Sequence, residues 1–210
     1  TLASLIPRFY DATQGAVLVD GLDVREYTFD ALYNKLGYVT QKAVLFSGTV
    51  ADNIFFGQSA AEKTDTALQD ALSLSQAAEF VDKYPEKAAH PIAQLGRNVS
   101  GGQKQRLSIA RALARKPEIL IFDDSFSALD YKTDAALREG LAKQLPGTTK
   151  IIVAQRISTI RNADQILVLD RGEIAGLGTH DALMASCPVY REIAMSQLSE
   201  EELKKGGVSK

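Results

Sequence analysis

The sequence is poor in cysteine and histidine, and it has no long apolar run. Its single cysteine, Cys187, cannot form a disulfide within the chain, which fits a reducing compartment. The two histidines, His90 and His180, have no neighbours in the spacing of metal ligands, and we expect His90 to be exposed in a loop. No apolar run approaches the roughly 20 residues that span a bilayer, and the first residues lack the apolar core of a signal peptide.

The chain also has little net charge, −2 over 210 residues. This near-neutral balance gives no support for a general nucleic-acid binder, so we expect no nucleic-acid partner. An apolar content of 45% and a charged content of 24% are ordinary for a globular protein, and the length suits one large domain, alone or with a small subdomain. The sequence begins without methionine and inside a predicted helix, from which we expect a fragment of a longer chain.

Strands alternate with helices along the chain, which predicts a largely parallel α/β sheet. Turn signals at Asp20-Gly21 and Arg171-Gly172 predict strand hairpins. A Thr-x-x-Asp pattern from Thr49 to Asp52 predicts the start of a short helix that extends to residue 56. The remaining predicted strands cover residues 37–41, 118–122 and 150–154, and further helices are predicted at 31–36, 60–84, 133–145, 180–185 and 189–198.

Residues 98–115 (NVSGGQKQRLSIARALAR) contain the clearest site signal. Ser100 is a good N-cap because its hydroxyl can accept a bond from a free N–H in the first helical turn. Gly101 and Gly102 have no Cβ, so a ligand can approach the backbone closely. A helix that begins here directs free N–H groups and the positive end of its dipole at that point, which favours an anion. The alternative is an ordinary amphipathic helix with a glycine-rich cap.

The same helix has an apolar stripe on one side. Three basic residues, Lys104, Arg111 and Arg115, fall together on the opposite face. Arg106 lies inside the apolar arc instead. Because a buried charge is costly without a partner, we expect Arg106 to contact a carboxylate or a backbone group.

Residues 119–124 (ILIFDD) contain the second site signal. A continuous apolar run is typical of a strand buried on both faces, and ligands of α/β sheets bind beyond the carboxyl ends of strands. Since successive side chains on a strand point in opposite directions, Asp123 and Asp124 cannot have the same role. One can hold Mg²⁺ and the other can face an attacking water. The alternative is an aspartate-rich turn.

The order of these motifs resembles the nucleotide-binding domain of ABC transporters over nearly the whole chain. The matching segments are the Q-loop glutamine Gln41, the signature at 100–103, the Walker B strand that ends at Asp123, and the D-loop at 127–130. Three further segments resemble the exporter branch, in which this domain is fused behind a membrane domain: 45–54 (LFSGTVADNI), 163–170 (ADQILVLD) and 178–180 (GTH).

The resemblance implies an α/β, P-loop NTPase-like fold with a mostly parallel sheet flanked by helices. It implies an ATP-binding domain over residues 1–198, lacking its N-terminal part, with an α-helical subdomain at about 49–115 that carries the signature. Residues 199–210 are then a flexible tail.

The resemblance also implies the cofactors ATP and Mg²⁺ and a role for each motif residue. It makes Asp123 and Gln41 metal ligands, and Asp124 and Gln155 catalytic residues. The residues implied to contact the nucleotide are Thr1, Gln41, Ser100, Gly101, Gly102, Gln103 and Asp130.

The sequence departs from the family pattern at three places. The P-loop G-x-x-x-x-G-K-[ST] is absent, and Thr1 resembles a residue that follows it directly, so we expect the chain alone to lack a core strand and to bind ATP poorly. Asp124 stands where the family has glutamate, one methylene longer. Gln155 stands where the family has a histidine, and glutamine cannot become a cation.

Family domains work as head-to-tail pairs in which the signature of one chain completes the nucleotide site of the other. An intact signature beside a changed Asp124 and Gln155 implies one half of a heterodimeric exporter at the cytoplasmic face of a bacterial membrane, with a membrane domain fused upstream. Its own site is then weakly hydrolytic. The alternatives are a soluble importer-type ATPase subunit and a non-hydrolysing regulatory module. A DNA-repair or chromosome ATPase is disfavoured, because the stretch from Gln41 to Ser100 has no heptads.

Overall fold

The fold is described by a computed structural model that covers residues 2–58 and 63–197. The chain divides into two compact units, Thr1–Val153 and Ala154–Lys210, and each has its own hydrophobic core. The part of the chain that the structure describes contains no helix that is both long and apolar enough to cross a membrane. Thr1 and the predicted tail at 199–210 lie outside the described residues.

A three-stranded parallel sheet forms the centre of the first unit. Its middle strand, β6 (Ile119–Asp123), pairs with β3 (Leu36–Val39) on one side and with β7 (Thr149–Val153) on the other. Three consecutive apolar residues of β6 are 0% exposed, as expected for a strand covered on both faces. This confirms the predicted parallel α/β sheet.

Two small antiparallel pairs accompany this sheet in the first unit. Strand β1 (Leu18–Val19) pairs with β2 (Leu22–Asp23) through the predicted turn, where Asp20 and Gly21 both have positive φ. Such a turn matches the twist of a hairpin. Strand β4 (Gly48–Thr49) pairs with β5 (Pro91–Ile92), which brings the segment after Gln41 next to the segment before Ser100.

Helices cover the sheet, and small polar side chains fix where several of them begin. Thr49 and Asp52 form the predicted capping box, each bonding the backbone N–H of the other. The helices of this unit are α1 (Phe29–Lys35), α2 (Val50–Ile54), α3 (Asp65–Leu74), α4 (Ala78–Val81), α5 (Gly101–Ala114) and α6 (Tyr131–Gln144). One buried cluster joins residues of α2, α3 and α5 to residues of the sheet and α6. The boundaries of the helical subdomain therefore stay a prediction.

One edge of the three-stranded sheet, that of β7, has no neighbouring strand among the described residues. Among the described strands, β6 alone is hydrogen-bonded to β7. The residues of β7 are half-buried or exposed, and Val153 is 37% exposed. Parallel strands are normally covered on both faces. The apolar residues of β7 are typical of such an interior strand, but they are less buried than those of β6.

The second unit is an antiparallel hairpin packed on short helices. Strands β8 (Ile166–Asp170) and β9 (Glu173–Gly178) pair through the predicted turn at Arg171-Gly172. The helices are α7 (Ile157–Ile160), α8 (His180–Ser186) and α9 (Pro188–Gln197). In its core the His180 ring is buried, with Nδ1 2.8 Å from the Tyr190 hydroxyl oxygen. Desolvation by burial lowers the pKa of His180.

Candidate functional site

The two aspartates at the end of β6 have different partners. The Tyr38 hydroxyl donates to Oδ2 of Asp123 at 2.8 Å, whereas Nε2 of Gln41 donates to Oδ2 of Asp124 at 2.9 Å. Both donors come from β3 or the residues that follow it, because β3 and β6 are parallel and end at the same edge. The two carboxylates therefore have different hydrogen-bond donors, although strand alternation does not set this arrangement, because β6 ends at Asp123 and Asp124 lies in the turn that follows.

Asp124 occupies a tight and constrained position. Its φ is 48°, in the left-handed region, and the residue is only 8% exposed. Its N–H donates to the carbonyl of Val153 at 3.0 Å, and its own carbonyl accepts the Ser127 hydroxyl at 2.8 Å. The left-handed region costs an L-residue about 1–2 kcal/mol, although aspartate and asparagine enter it more readily than most.

Buried polar side chains join the backbone around Gln41 to β6 and α5. The Ser125 hydroxyl donates to the carbonyl of Val39 at 2.8 Å, and Nε2 of Gln105 donates to the carbonyl of Thr40 at 3.2 Å. Both side chains are almost fully buried, at 0% and 1% exposure. They hold the chain on which Tyr38 and Gln41 project. Sequence reasoning missed them, since neither stands out in a motif.

Arg111 is the second group that sequence reasoning misplaced. We predicted it on the polar face of α5, but its side chain is partly buried, and burial lowers the pKa of Arg111. It donates to the carbonyls of Val44 and Asn53 at 3.0 and 2.7 Å and lies over the rings of Phe46 and Phe56. The segment after Gln41 is thereby attached to the helix that begins at the signature. Arg106, in contrast, contacts Glu79 at 2.8 Å, which confirms the predicted carboxylate partner.

The N-terminus of α5 is built as predicted and is open. Ser100 caps the helix: its hydroxyl accepts from the Gln103 N–H at 3.3 Å, and the Gln103 side chain accepts from the Ser100 N–H at 2.8 Å. Among the described residues, a Cβ built on Gly101 would meet nothing within 4 Å, and one on Gly102 would meet only the Ala128 carbonyl, at 3.5 Å. The helix therefore presents backbone N–H groups that an anion can reach.

Asp130 has a structural partner within its own chain. Its carboxylate caps α6 by accepting from the Thr133 N–H at 2.9 Å and from the Thr133 hydroxyl at 2.7 Å. These two bonds hold the pKa of Asp130 below its ordinary value. A contact between Asp130 and nucleotide stays a prediction.

The remaining predicted site residues are less defined. Thr1 lies outside the described residues, and Gln155 belongs to the second unit, where its carbonyl accepts from the Gln197 side chain at 2.8 Å.

The expectation of an exposed His90 was wrong. Its side chain is 22% exposed, its ring stacks on Tyr84 at 3.8 Å, and Nδ1 lies 3.1 Å from Glu86, because the turn at 85–89 folds back on itself.

The donor set at the end of β6 fits a magnesium ion shared with a nucleotide. Tyr38 engages Oδ2 of Asp123, and among the described residues no side chain or backbone group is found bonded to Oδ1 of Asp123 or to Oε1 of Gln41. Within 2–58 and 63–197 there is no group of three or more His, Cys, Asp or Glu that could hold a metal. Since Mg²⁺ prefers oxygen ligands and is often bound by one or two carboxylates together with phosphates, Asp123 and Gln41 would hold it with the nucleotide.

Comparison with known proteins identifies the family. Residues 1–127 match the ABC transporter family, and the chain is 50% identical over 198 residues to an uncharacterised ABC transporter ATP-binding protein of Mycobacterium bovis, covering 94% of this chain and 34% of that protein. The chain belongs to the ABC transporter family. This family generally binds ATP with Mg²⁺ and hydrolyses it.

Two further relatives of this ATP-binding domain are of the exporter type. The chain is 39% identical over 203 residues to an ATP-dependent lipid A-core flippase of Syntrophus aciditrophicus, covering 97% of this chain and 33% of the flippase. It superimposes with a TM-score of 0.89 and 36% identity on a bacterial Atm1-family ABC exporter with ATP bound, covering 95% of this chain and 34% of that one. The chain thus spans about a third of the length of these relatives.

Proposed function

We propose that this ABC domain powers export across a bacterial membrane from the cytoplasmic face, by ATP-driven pairing with a second nucleotide-binding domain followed by hydrolysis. The exporter-type relatives support this reading. Because the chain spans about a third of their length, a membrane domain upstream in the same polypeptide is part of the proposal.

The open N-terminus of α5 is the observation that supports the pairing. A Cβ at Gly101 would meet no atom of the described residues within 4 Å, so an anion could approach the backbone N–H groups there. Ser100, Gly101 and Gly102 would bind the γ-phosphate of an ATP held mainly by the partner, through the Ser100 hydroxyl and the backbone N–H groups. Bound Mg-ATP supplies the terminal phosphoryl group that is hydrolysed.

The chain's own nucleotide site would be the weaker of the two. Asp123 would hold the metal, and Asp124 would orient and deprotonate the attacking water. Asp124 is one methylene shorter than glutamate and is hydrogen-bonded to Gln41. A misplacement of about 1 Å at a reacting group can lower the rate on the order of 100-fold. Gln155 could hydrogen-bond a phosphate but could not become a cation.

The open edge of β7 supports the expectation that part of the domain is supplied from upstream. A parallel strand with a free edge and half-buried apolar residues is suited to a further neighbour. In this proposal the neighbour is the strand that leads into the P-loop. We therefore expect the chain alone to bind ATP poorly and to lack ATPase activity.

Two substitutions in the full-length protein, assembled with its partner, test the asymmetry. Ser100→Arg places a long cation at the open helix end and should abolish most ATP turnover. Asp124→Asn removes only the proposed weak base and should lower turnover by a few-fold. Ser73→Arg adds the same side chain at an exposed position of α3 and is the control.

If Asp124→Asn abolishes hydrolysis as completely as Ser100→Arg, the asymmetric division of roles is wrong. ATP binding with no turnover in the assembled pair would favour the non-hydrolysing regulatory module. Purification of the protein with a separately encoded permease, rather than as one polypeptide with its membrane domain, would favour the importer-type subunit.

A further inference from the structure

The hydroxyl of Tyr38 contacts the carboxylate that would hold the metal. The two groups are 85 residues apart in sequence, and the bond from the hydroxyl to Oδ2 of Asp123 is 2.8 Å long. We propose that Tyr38 is a positioning residue that orients the Asp123 carboxylate for the divalent cation of the nucleotide. The inference rests on the proposed function, because it needs a nucleotide-bound metal at Asp123.

The Tyr38 ring is held in place on two sides. The ring of Phe9 meets it edge-on, with centroids 5.1 Å apart, and the hydroxyl of the buried Ser4 also hydrogen-bonds the phenol. The backbone of Tyr38 is fixed by its register opposite Ile121 in the parallel sheet. The phenol is thus a rigid donor, so the direction of its bond to Asp123 is set before any ligand binds.

A rigid donor changes what the carboxylate can do. A metal-binding carboxylate that is hydrogen-bonded through one oxygen keeps a defined rotamer and presents its other oxygen, and loss of such an outer partner typically weakens metal affinity 10–100-fold. Here Tyr38 engages Oδ2 of Asp123, and Oδ1 is the oxygen left for the ion. The neighbouring Asp124 receives a different donor, the amide of Gln41. The two donors keep the carboxylates from exchanging partners, so the metal and the attacking water are directed to separate groups.

Manganese binding to the full-length protein measures this effect without turnover. Mn²⁺ is titrated in the presence of the β,γ-imido analogue of ATP, and the bound ion is followed by electron paramagnetic resonance. Where a different subunit completes the pair, its own nucleotide site is disabled. Tyr38→Phe removes only the hydroxyl and should weaken Mn²⁺ binding about 10-fold or more and change the spectrum of the bound ion. Ser4→Ala keeps the bond between Tyr38 and Asp123, and this variant should weaken Mn²⁺ binding less, by about 2–3-fold.

Tyr33→Phe is the matched control, because it removes the same hydroxyl from an exposed ring at the end of α1. It should leave the Mn²⁺ titration unchanged, and thermal unfolding should show that all variants remain folded. Equal Mn²⁺ affinity and equal spectra for the unmodified protein and Tyr38→Phe would overturn the role of Tyr38 while leaving the proposed function intact. Failure of the unmodified protein to bind Mn²⁺ with the nucleotide analogue would contradict the proposed function, and the role of Tyr38 with it.

Discussion

The N-terminus of α5 and the C-terminal end of β6 differ in how much they contact their own chain. At the helix end, a Cβ added to Gly101 would meet no atom of the described residues within 4 Å. At the strand end, Asp123 and Ser125 are hydrogen-bonded to residues of β3, and Asp124 is hydrogen-bonded to Gln41, two residues after β3 ends. The first leaves its backbone N–H groups open, and the second is organised by contacts with β3 and with Gln41. Substitutions at the two ends should therefore fail in different ways.

Gly101→Leu should have the largest effect and should separate function from folding. The added side chain has room in this chain, so we expect thermal unfolding to change little. In the assembled pair it would occupy the space proposed for the γ-phosphate, and ATP turnover should fall by about 100-fold or more. Gly147→Leu is the control, since its surroundings are equally open. A loss of fold rather than of turnover would show that the helix end is a structural contact of this chain.

Lengthening the Asp124 carboxylate at the strand end should raise ATP turnover, in contrast to the fall expected for Gly101→Leu. Asp124→Glu restores the reach of a longer base, and we expect ATP turnover at this chain's site to rise up to about 10-fold, measured with the partner's site disabled. Asp123→Glu adds the same methylene to the neighbouring carboxylate and should lower turnover, because it displaces the metal ligand. If both variants lower turnover equally, the two aspartates do not have the separate roles proposed here.

Ser125→Ala should affect stability more than it affects nucleotide chemistry. The fully buried hydroxyl bonds the Val39 carbonyl, and its loss leaves that acceptor without a donor at a cost of about 1–2 kcal/mol in the free energy of unfolding. For a unit of this size we expect the unfolding temperature to fall by roughly 2–6 °C. Ser73→Ala, at an exposed position, should show no such fall. An unchanged unfolding temperature for Ser125→Ala would mean that β3 and β6 are held by packing alone.

The smallest effect should be the pH dependence of stability, which involves neither the N-terminus of α5 nor the C-terminal end of β6. Burial lowers the pKa of His180 below that of the unfolded chain, so the unfolded state takes up a proton first and stability is lost as pH falls below about 6.5. We expect the unfolding temperature to fall between pH 7.5 and 5.5, and His180→Gln should reduce that fall. His90→Gln, which removes the other histidine, should retain it. If the unfolding temperature falls equally with pH in both variants, His180 is not the group responsible for the loss of stability.

Local chemistry explains the features that the sequence predicted well. The caps at Thr49 and Ser100 depend on residues within three positions of each other, so a short pattern is sufficient. The different partners of Asp123 and Asp124 were expected from strand alternation, but Asp124 lies beyond the strand in a left-handed turn, so the turn sets its direction. The partner of Arg106 could be expected as a class, because a guanidinium in an apolar arc needs one, although its identity as Glu79 could not.

Long-range register explains the features that were missed. The contacts of Tyr38 with Asp123 and of Ser125 with Val39 depend on which residues of β3 and β6 align, which no local pattern specifies. Arg111 was misplaced because helical periodicity gives a face but not what covers it; here Val44, Phe46 and Asn53 do so. The roles of Gln155 and Thr1 in binding nucleotide likewise stay predictions.

The left-handed backbone at Asp124 gives a conformational reason for aspartate at this position. Aspartate enters this conformation at less cost than glutamate, because its short side chain bonds groups close to its own backbone. The shorter acidic residue is thus the one that suits this bend, where the Val153 carbonyl and the Ser127 hydroxyl bond the backbone of Asp124 on either side. The turn therefore constrains which residue fits at position 124, independently of any role in hydrolysis.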